Sequence, residues 1–268
     1  MKLKNLLCLS AIIFLSTTSL AMAEGQGDEG EVPKAAKKSE KKKAVKEEES
    51  FSIPEIPGKF SGTVSLTTDY RFRGVSQTDT NPAIQGSVDY THDSGLYLGV
   101  WGSNVDFNDA SESSMEADYY GGIRKEFNGF KIDLGFIYYD YPGADNTLHY
   151  DYFEPQVALG YDFGWASFAG SLNFSSDFFA DSGEAYYPKF STVIPLRYGF
   201  TADGYFARQY VEENARFGLP DYNTWGLGLG YNYKGLDFKV QYVDTSVHKS
   251  VCPKNCDAAV LFSVSKTL

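Results

Sequence analysis

Hydrophobic and polar residues alternate along most of the chain, and the alternation is clearest between Asp221 and Leu268. There Trp225, Leu227 and Leu229 alternate with small or polar residues, a tight turn follows at Lys234-Gly235, and two further alternating runs end the chain. A repeat of two residues is the periodicity of a β-strand. Strands of about ten residues with one apolar and one polar face are typical of membrane β-barrels.

The same pattern predicts twelve strands in all, joined alternately by short turns and long loops. Short turns are predicted at 92–95, 125–129, 162–164, 195–197 and 232–235, and long loops at 73–82, 106–114, 142–150, 175–185, 210–221 and 245–257. Short turns on one side and long loops on the other are the arrangement of outer-membrane barrels. The predicted fold is therefore all-β, a transmembrane antiparallel up-and-down β-barrel over residues 58–268, closed so that every backbone group is paired.

Three predicted strands depart from the regular pattern in length, facing or composition. The first strand is predicted from Lys59 to Phe72, with Tyr70 and Phe72 facing lipid. The third, Leu96–Val105, is apolar on both faces, so the sequence does not decide which of its faces points outward. Pro155 weakens the sixth strand, which we expect to start there, because proline cannot donate to the ladder.

The N-terminus has the composition of a secretory leader. Lys2 and Lys4 precede an apolar run, and Ala21-Met22-Ala23 fits a cleavage site, so residues 1–23 are predicted to be a signal peptide. Residues 24–57 carry runs of Lys and Glu with few large apolar residues, and are predicted to be a disordered periplasmic linker. Both cysteines of the mature chain would then lie in an oxidising compartment.

Composition narrows the function classes. No apolar run of 18 or more residues follows the N-terminus, which argues against a helical membrane protein. Without residues 1–23 the chain has 22 basic and 35 acidic residues, a formal charge of −13, which disfavours nucleic acid as a partner. The mean hydropathy of −0.32 decides nothing, because half of each barrel strand is polar.

Four segments carry a family resemblance. They are Asp69-Tyr70-Arg71-Phe72-Arg73-Gly74-Val75-Ser76-Gln77, Pro82-Ala83-Ile84-Gln85-Gly86, Gly99-Val100-Trp101-Gly102-Ser103-Asn104-Val105-Asp106-Phe107 and Glu116-Ala117-Asp118-Tyr119-Tyr120-Gly121-Gly122. The chain resembles the TorF-type porin family over roughly residues 58–268. The resemblance implies an outer-membrane barrel and no particular substrate.

Charged residues on the inward face are the candidate functional residues. The pore-lining candidates are Asp69, Arg71, Asp89, Glu116, Asp118, Arg124, Lys131, Asp133 and Glu154. They would set the selectivity of a polar passage, or form an ion-pair network that fills the lumen. Many inward residues are the small Gly, Ser and Thr, which favour some open volume in the lumen of the barrel. We expect replacement of Arg71 and Arg124 by Glu to shift selectivity toward cations.

Cys252 and Cys256 are predicted to form a small disulfide in the last long loop. Two cysteines with His248 nearby do not make a closed metal site, so no metal is expected. No Ser is linked to His92, His149 or His248 by a recognisable motif, which argues against a lipid hydrolase. A soluble barrel would need its many outward aromatics turned inward, whereas an adhesin or structural barrel stays open as an alternative.

The sequence thus favours a porin-like channel for passive diffusion of small hydrophilic solutes, with no catalytic residues and no cofactor. The expected location is the outer membrane of a Gram-negative cell, with both termini periplasmic because the strand number is even. Expected partners are outer-membrane lipid and lipopolysaccharide, small solutes, and the barrel-assembly machinery through the C-terminal strand.

Overall fold

The structure, a computed structural model, describes residues 57–108 and 113–268. The predicted signal peptide, and the predicted linker apart from Pro57, therefore lie outside the described residues. The strands are β1 (Lys59–Thr67), β2 (Arg71–Phe72), β3 (Val75–Ser76), β4 (Ala83–Thr91), β5 (Leu96–Asn104), β6 (Met115–Phe127), β7 (Phe130–Asp140), β8 (Tyr152–Asp162), β9 (Ser167–Ser175), β10 (Ala185–Pro195), β11 (Phe200–Val211), β12 (Tyr222–Tyr233), β13 (Leu236–Thr245) and β14 (Ala259–Thr267). Short helical turns occupy Asn146–Leu148, Arg197–Gly199 and Asn214–Phe217.

Twelve of the strands in the described ranges form one closed barrel, in the order β1-β14-β13-β12-β11-β10-β9-β8-β7-β6-β5-β4. Every pairing between them is antiparallel, and β1 closes the ring on β14 with Thr63 opposite Thr267 and Thr67 opposite Ser263. The predicted fold and strand number are confirmed. Closure leaves no open strand edge.

The two ends of the barrel differ as the turn pattern predicted. Short turns join the strands at one end, which we call the turn end, and long connections join them at the other, the loop end. Two of the short turns, Asn128-Gly129 and Lys234-Gly235, have positive φ at both residues, as type I′ hairpins require. The chain enters β1 and leaves β14 at the turn end.

Alternation along the strands places apolar side chains outside. Outward residues such as Phe60, Val88, Leu227 and Val260 are 68, 63, 67 and 69% exposed. The third predicted strand, β5, turns Leu96, Leu98 and Val100 outward and Tyr97 and Trp101 inward. Pro155 lies within β8 on the outward face and does not start that strand.

Residues 68–82, which we call the inner loop, correct the prediction for the first strand. β1 ends at Thr67, and Asp69, Tyr70 and Arg71 belong to the inner loop and are 5, 1 and 5% exposed. Tyr70 therefore does not face lipid, and Phe72 packs on the buried cluster of the interior. The inner loop contains the two-stranded hairpin β2–β3, in which Arg71 pairs with Ser76.

Aromatic side chains cover the loop end above the inner loop. Phe107, Tyr141, Tyr150 and Phe179 come from three long connections and pack ring to ring, with centroids 4.2–6.1 Å apart. Below them the barrel interior carries buried inward rings, namely Tyr97, Trp101, Tyr120, Tyr139, Tyr152, Tyr187 and Tyr222. The loop end of the lumen is thus filled by aromatic residues rather than lined by Gly, Ser and Thr.

Candidate functional site in the barrel lumen

The inner loop crosses the lumen from one wall to the opposite one. On one side the Tyr70 hydroxyl donates to Glu116 Oε1 at 3.1 Å, and its ring packs edge-on against Trp101. On the other side Gly74 lies so close to Thr224 and Thr245 that a methyl group on it would meet their side chains at 2.6 and 2.5 Å. Because β6 and β12 stand six places apart in the ring of twelve, the contacts with Glu116 and Thr224 join diametrically opposite strands.

Arg73 at the tip of the inner loop is held in a closed pocket. Its guanidinium makes a 2.5 Å ion pair with Glu154 of β8 and donates to Gln209 Oε1 of β11 at 2.7 Å. The same group lies over the rings of Phe72, Phe178 and Tyr187, with its central carbon 4.3–5.4 Å from their centroids. Burial opposes its charge, but the neighbouring Glu154 carboxylate outweighs it and raises the pKa of Arg73 above its ordinary value.

Three buried carboxylates surround the middle of the inner loop. Glu116 and Asp118 are two residues apart on β6 and share its inward face, and Glu154 lies on β8; each is 1% exposed. The carboxyl groups of Glu116 and Asp118 contact each other, whereas Glu154 Oε1 has no hydrogen-bond partner among the described residues. Burial, followed by the charges of Glu116 and Asp118, raises the pKa of Tyr70 well above its ordinary value, so Tyr70 stays a donor.

Asp69 organises the fold of the inner loop itself. Its carboxylate accepts hydrogen bonds from Arg71 Nε at 2.7 Å, Ser76 Oγ at 2.6 Å and Thr78 Oγ1 at 3.1 Å. The three donors come from both arms of the β2–β3 hairpin, so this single carboxylate draws the arms together. Asp69 and Arg71 therefore stabilise the inner loop from within and do not lie on the inward face of a barrel strand, where the sequence pattern had placed them.

Toward the turn end, the lumen carries ion pairs with partly exposed members. Arg124 pairs with Asp133 at 2.5 Å and is 26% exposed at its side chain, and Tyr97 also donates to Asp133. Lys131 lies 3.7 Å from Asp162 and 4.0 Å from Glu126, and Asp89 accepts from Tyr120 and Ser87. Lys239 of β13 pairs with Asp203 of β11 at 3.0 Å.

The nine predicted pore-lining residues therefore fall into two groups. Asp69, Arg71, Glu116, Asp118 and Glu154 lie at the inner loop, and Asp89, Arg124, Lys131 and Asp133 lie nearer the turn end. Their lining role stays a prediction. Sequence reasoning missed Arg73, Gln209, Asp203 and Lys239. The alternation of residues along the strands does place Asp203, Gln209 and Lys239 on inward faces. Arg73 lies in a loop, and the strand pattern does not show where a loop side chain points.

The disulfide and the histidines occupy the loops. Cys252 and Cys256 are joined by a disulfide, with their Cα atoms 5.6 Å apart. Two serines do contact histidines: Ser94 Oγ lies 2.7 Å from His92 Nδ1, and Ser250 Oγ lies 2.8 Å from His248 Nδ1. In both cases the backbone N–H of the same serine also donates to that nitrogen, so each contact closes a local turn.

The described ranges offer neither a metal-binding cluster nor a helix that could span a membrane. Residues 57–108 and 113–268 contain no group of three or more His, Cys, Asp or Glu side chains arranged to hold a metal ion. None of the helices within those ranges has the length and apolar character needed to cross a membrane.

Several solved structures are similar to this chain. The KdgM porin is 11% identical with a TM-score of 0.50, and the match covers 77% of this chain and 97% of that one. The NanC porin is 6% identical with a TM-score of 0.50, covering 78% of this chain and 98% of that one. An outer membrane channel from Pseudomonas putida F1 is 9% identical, covering 81% and 96%, with a TM-score of 0.44. At these identities the likeness to the KdgM and NanC porins shows the barrel fold alone.

Sequence comparison gives the family. No curated protein matches the chain. The sequence profile of a bacterial family of unknown function, Gcw_chp, matches residues 52–268, which include the whole barrel. The chain therefore belongs to the Gcw_chp family of bacterial proteins of unknown function.

Proposed function

We propose that this protein is an outer-membrane channel for small hydrophilic solutes, narrowed by its inner loop. The observation that carries the proposal is the closed barrel with an apolar outer surface around a charged interior. A soluble protein rarely exposes a continuous apolar surface of this extent, because water makes it costly. In a bilayer the same surface faces hydrocarbon, and closure satisfies every strand edge.

The proposed orientation follows from the two unlike ends. Long loops would lie outside the cell, and the turn end, where β1 starts and β14 ends, would face the periplasm. Residues 1–23 would direct export and residues 24–57 would form a periplasmic linker. Lipid and lipopolysaccharide would contact the outer face, and β14 would engage the barrel-assembly machinery. The finer assignment to the TorF-type porin family belongs to the same proposal.

The proposed solute path narrows at the inner loop. Solutes would meet the partly exposed ion pairs of the turn end, then Arg73, Glu116, Asp118 and Glu154, where the inner loop spans the lumen. Because side chains occupy much of this level, passage would be limited to small solutes. The charged groups along the path would set ion selectivity.

Single-channel recording in planar bilayers tests the proposal. Purified, refolded protein should give discrete current steps whose size scales with salt concentration. A heat-modified gel shift shows that the sample is folded. Folded protein that gives no steps in any salt would overturn the channel proposal.

Ion selectivity tests the lining role at the turn end. Arg124→Glu replaces a partly exposed cation beside Asp133 with an anion, so we expect reversal potentials in a salt gradient to shift toward cations. Arg216→Glu makes the same charge change on an exposed residue of a long connection, where the side chain is 54% exposed, and serves as the control. Equal reversal potentials for wild type and Arg124→Glu would contradict the assignment. Arg71→Glu is less informative, because Arg71 braces the inner loop.

A non-conducting structural, adhesin or ligand-binding barrel is the second candidate. The observation that favours it is the filled loop end, where Tyr70, Arg73 and Gly74 contact opposite walls. Such a barrel would fold and insert normally but give no current steps. The recording described above therefore separates the two candidates.

A further inference from the structure

The turn closed by the disulfide contacts the inner loop directly. We call residues 252–257 the disulfide turn. Arg71 Nη1 donates to the backbone carbonyls of Asn255 at 3.0 Å and Asp257 at 2.8 Å. Because Arg71 is 5% exposed and its Nε is bonded to Asp69, this guanidinium joins the core of the inner loop to the backbone of the disulfide turn.

Two further contacts join the same segments. The Ser76 amide donates to the Asn255 carbonyl at 2.8 Å, so that one carbonyl accepts from both Ser76 and Arg71. On the outer side, Lys254 Nζ lies 2.8 Å from Asp79 Oδ2 and 2.9 Å from the Asp79 carbonyl. Three parts of the inner loop therefore contact the disulfide turn. They are the first hairpin arm through Arg71, the second arm through Ser76, and the segment after the hairpin through Asp79.

The disulfide turn is also bonded to the barrel wall. Cys256 is 1% exposed, and its carbonyl accepts from Thr245 Oγ1 at 2.9 Å, at the end of β13. Its side chain lies in a buried cluster with Tyr222 and Val247, and Val75 of the inner loop packs on that cluster. The disulfide turn therefore stands between the wall and the inner loop and contacts both.

We propose that the Cys252–Cys256 disulfide is a clasp that holds the inner loop across the lumen, and that its reduction by a dithiol releases the inner loop. The bond restricts the backbone that presents the Asn255 and Asp257 carbonyls, so losing it removes the fixed acceptors of Arg71 and Ser76. The proposed release of the inner loop rests on these contacts alone and does not depend on the channel function. The accompanying increase in current rests on the proposed channel function.

The reduction is an ordinary thiol–disulfide exchange. Cys252 is partly exposed whereas Cys256 is buried, so a thiolate of the dithiol attacks the Cys252 sulfur and Cys256 leaves as a thiolate. The second thiol of the reagent then attacks the mixed disulfide and releases Cys252. Two electrons pass from the dithiol to the protein disulfide, the reagent leaves as a cyclic disulfide, and both cysteines end as thiols after taking up protons.

Hydrogen exchange of the full folded chain in lipid vesicles, with and without dithiothreitol, tests the release. We expect the Ser76 amide and its neighbours in the inner loop to exchange at least about tenfold faster after reduction. Amides of the β1–β14 closure should not change. Unchanged exchange of the inner loop in fully reduced protein would overturn the proposal.

Two variants separate the disulfide from the other contacts. The double variant C252S/C256S should show fast exchange of the inner loop without any reagent and no response to dithiothreitol. Lys254→Met removes the ion pair with Asp79 but keeps the disulfide, so it should still respond. A response of C252S/C256S to dithiothreitol would show that the reagent acts elsewhere, which contradicts the clasp.

Conductance recorded on the same samples relates release to function. If the inner loop gates a channel, dithiothreitol added on the loop side should increase the current steps of the wild type and leave C252S/C256S unchanged. Faster exchange with no current before or after reduction would leave the clasp standing and refute the channel. Faster exchange with unaltered current steps would refute gating by the clasp.

Discussion

At the scale of single residues, Arg73 and Gly74 position the inner loop in the lumen. Arg73 binds Glu154 and Gln209 on one part of the wall, and Gly74 touches Thr224 and Thr245 on another. Gly74 has φ +89°, a conformation that side chains with a Cβ rarely adopt. Close approach and backbone conformation therefore both require glycine at this position.

Replacing Gly74 by alanine should loosen the inner loop. The added methyl group would overlap Thr224 and Thr245, and the positive φ adds strain of roughly 1–3 kcal/mol. We expect hydrogen exchange of residues 70–78 to accelerate by at least about tenfold, equivalent to ~1.4 kcal/mol.

Gly164→Ala is the matched control for Gly74→Ala. Gly164 has a similar φ of +81°, but nothing lies within 4 Å of an added methyl group. The control shares the backbone strain without the steric contact, so it should leave the inner loop unchanged. Equal protection of residues 70–78 in Gly74→Ala and wild type would show that the inner loop does not depend on this contact.

At the scale of elements, the alternation of residues predicts the strands well and the inner loop poorly. Inward and outward residues of β6, β7 and β13 follow from a period of two, because each face meets a different environment. The same alternation continues past Thr67 through Tyr70 and Phe72, although the chain has already left the barrel wall and entered the lumen. What turns it inward is a set of tertiary contacts, from Asp69 to Ser76 and from Tyr70 to Glu116, that no local pattern contains.

Two adjacent residues of β4 test which face of the strands meets lipid. Val88 is 63% exposed on the outer face, whereas the side chain of Ser87 faces the lumen near Asp89 at the same depth. We expect Val88→Arg to lower the free energy of unfolding in lipid vesicles by about 2–4 kcal/mol, the cost of a cation in the bilayer midplane. Ser87→Arg, with a nearby carboxylate and water, should cost less. Equal losses would contradict a lipid-facing outer surface.

At the scale of the whole molecule, the barrel interior carries ion pairs toward the turn end, and the inner loop and aromatic side chains fill it toward the loop end. The strand number, the alternation of turn and loop lengths and the even count were predictable, because they depend on local patterns repeated twelve times. The filling of the lumen was not predictable. It depends on how Tyr70, Arg73 and the disulfide turn meet across the barrel, at positions far apart in the chain.

The most direct test of the account compares the single-channel conductance of wild type with that of a variant lacking the inner loop. Thr67 pairs with Ala83, so a flexible stretch of about four residues in place of 68–82 can close the hairpin without disturbing β1 or β4. Gel shift after heating shows that both proteins are folded. We expect small steps for wild type and steps several times larger for the variant. Folded barrels that give equal steps, or none in either protein, would contradict a channel narrowed by the inner loop.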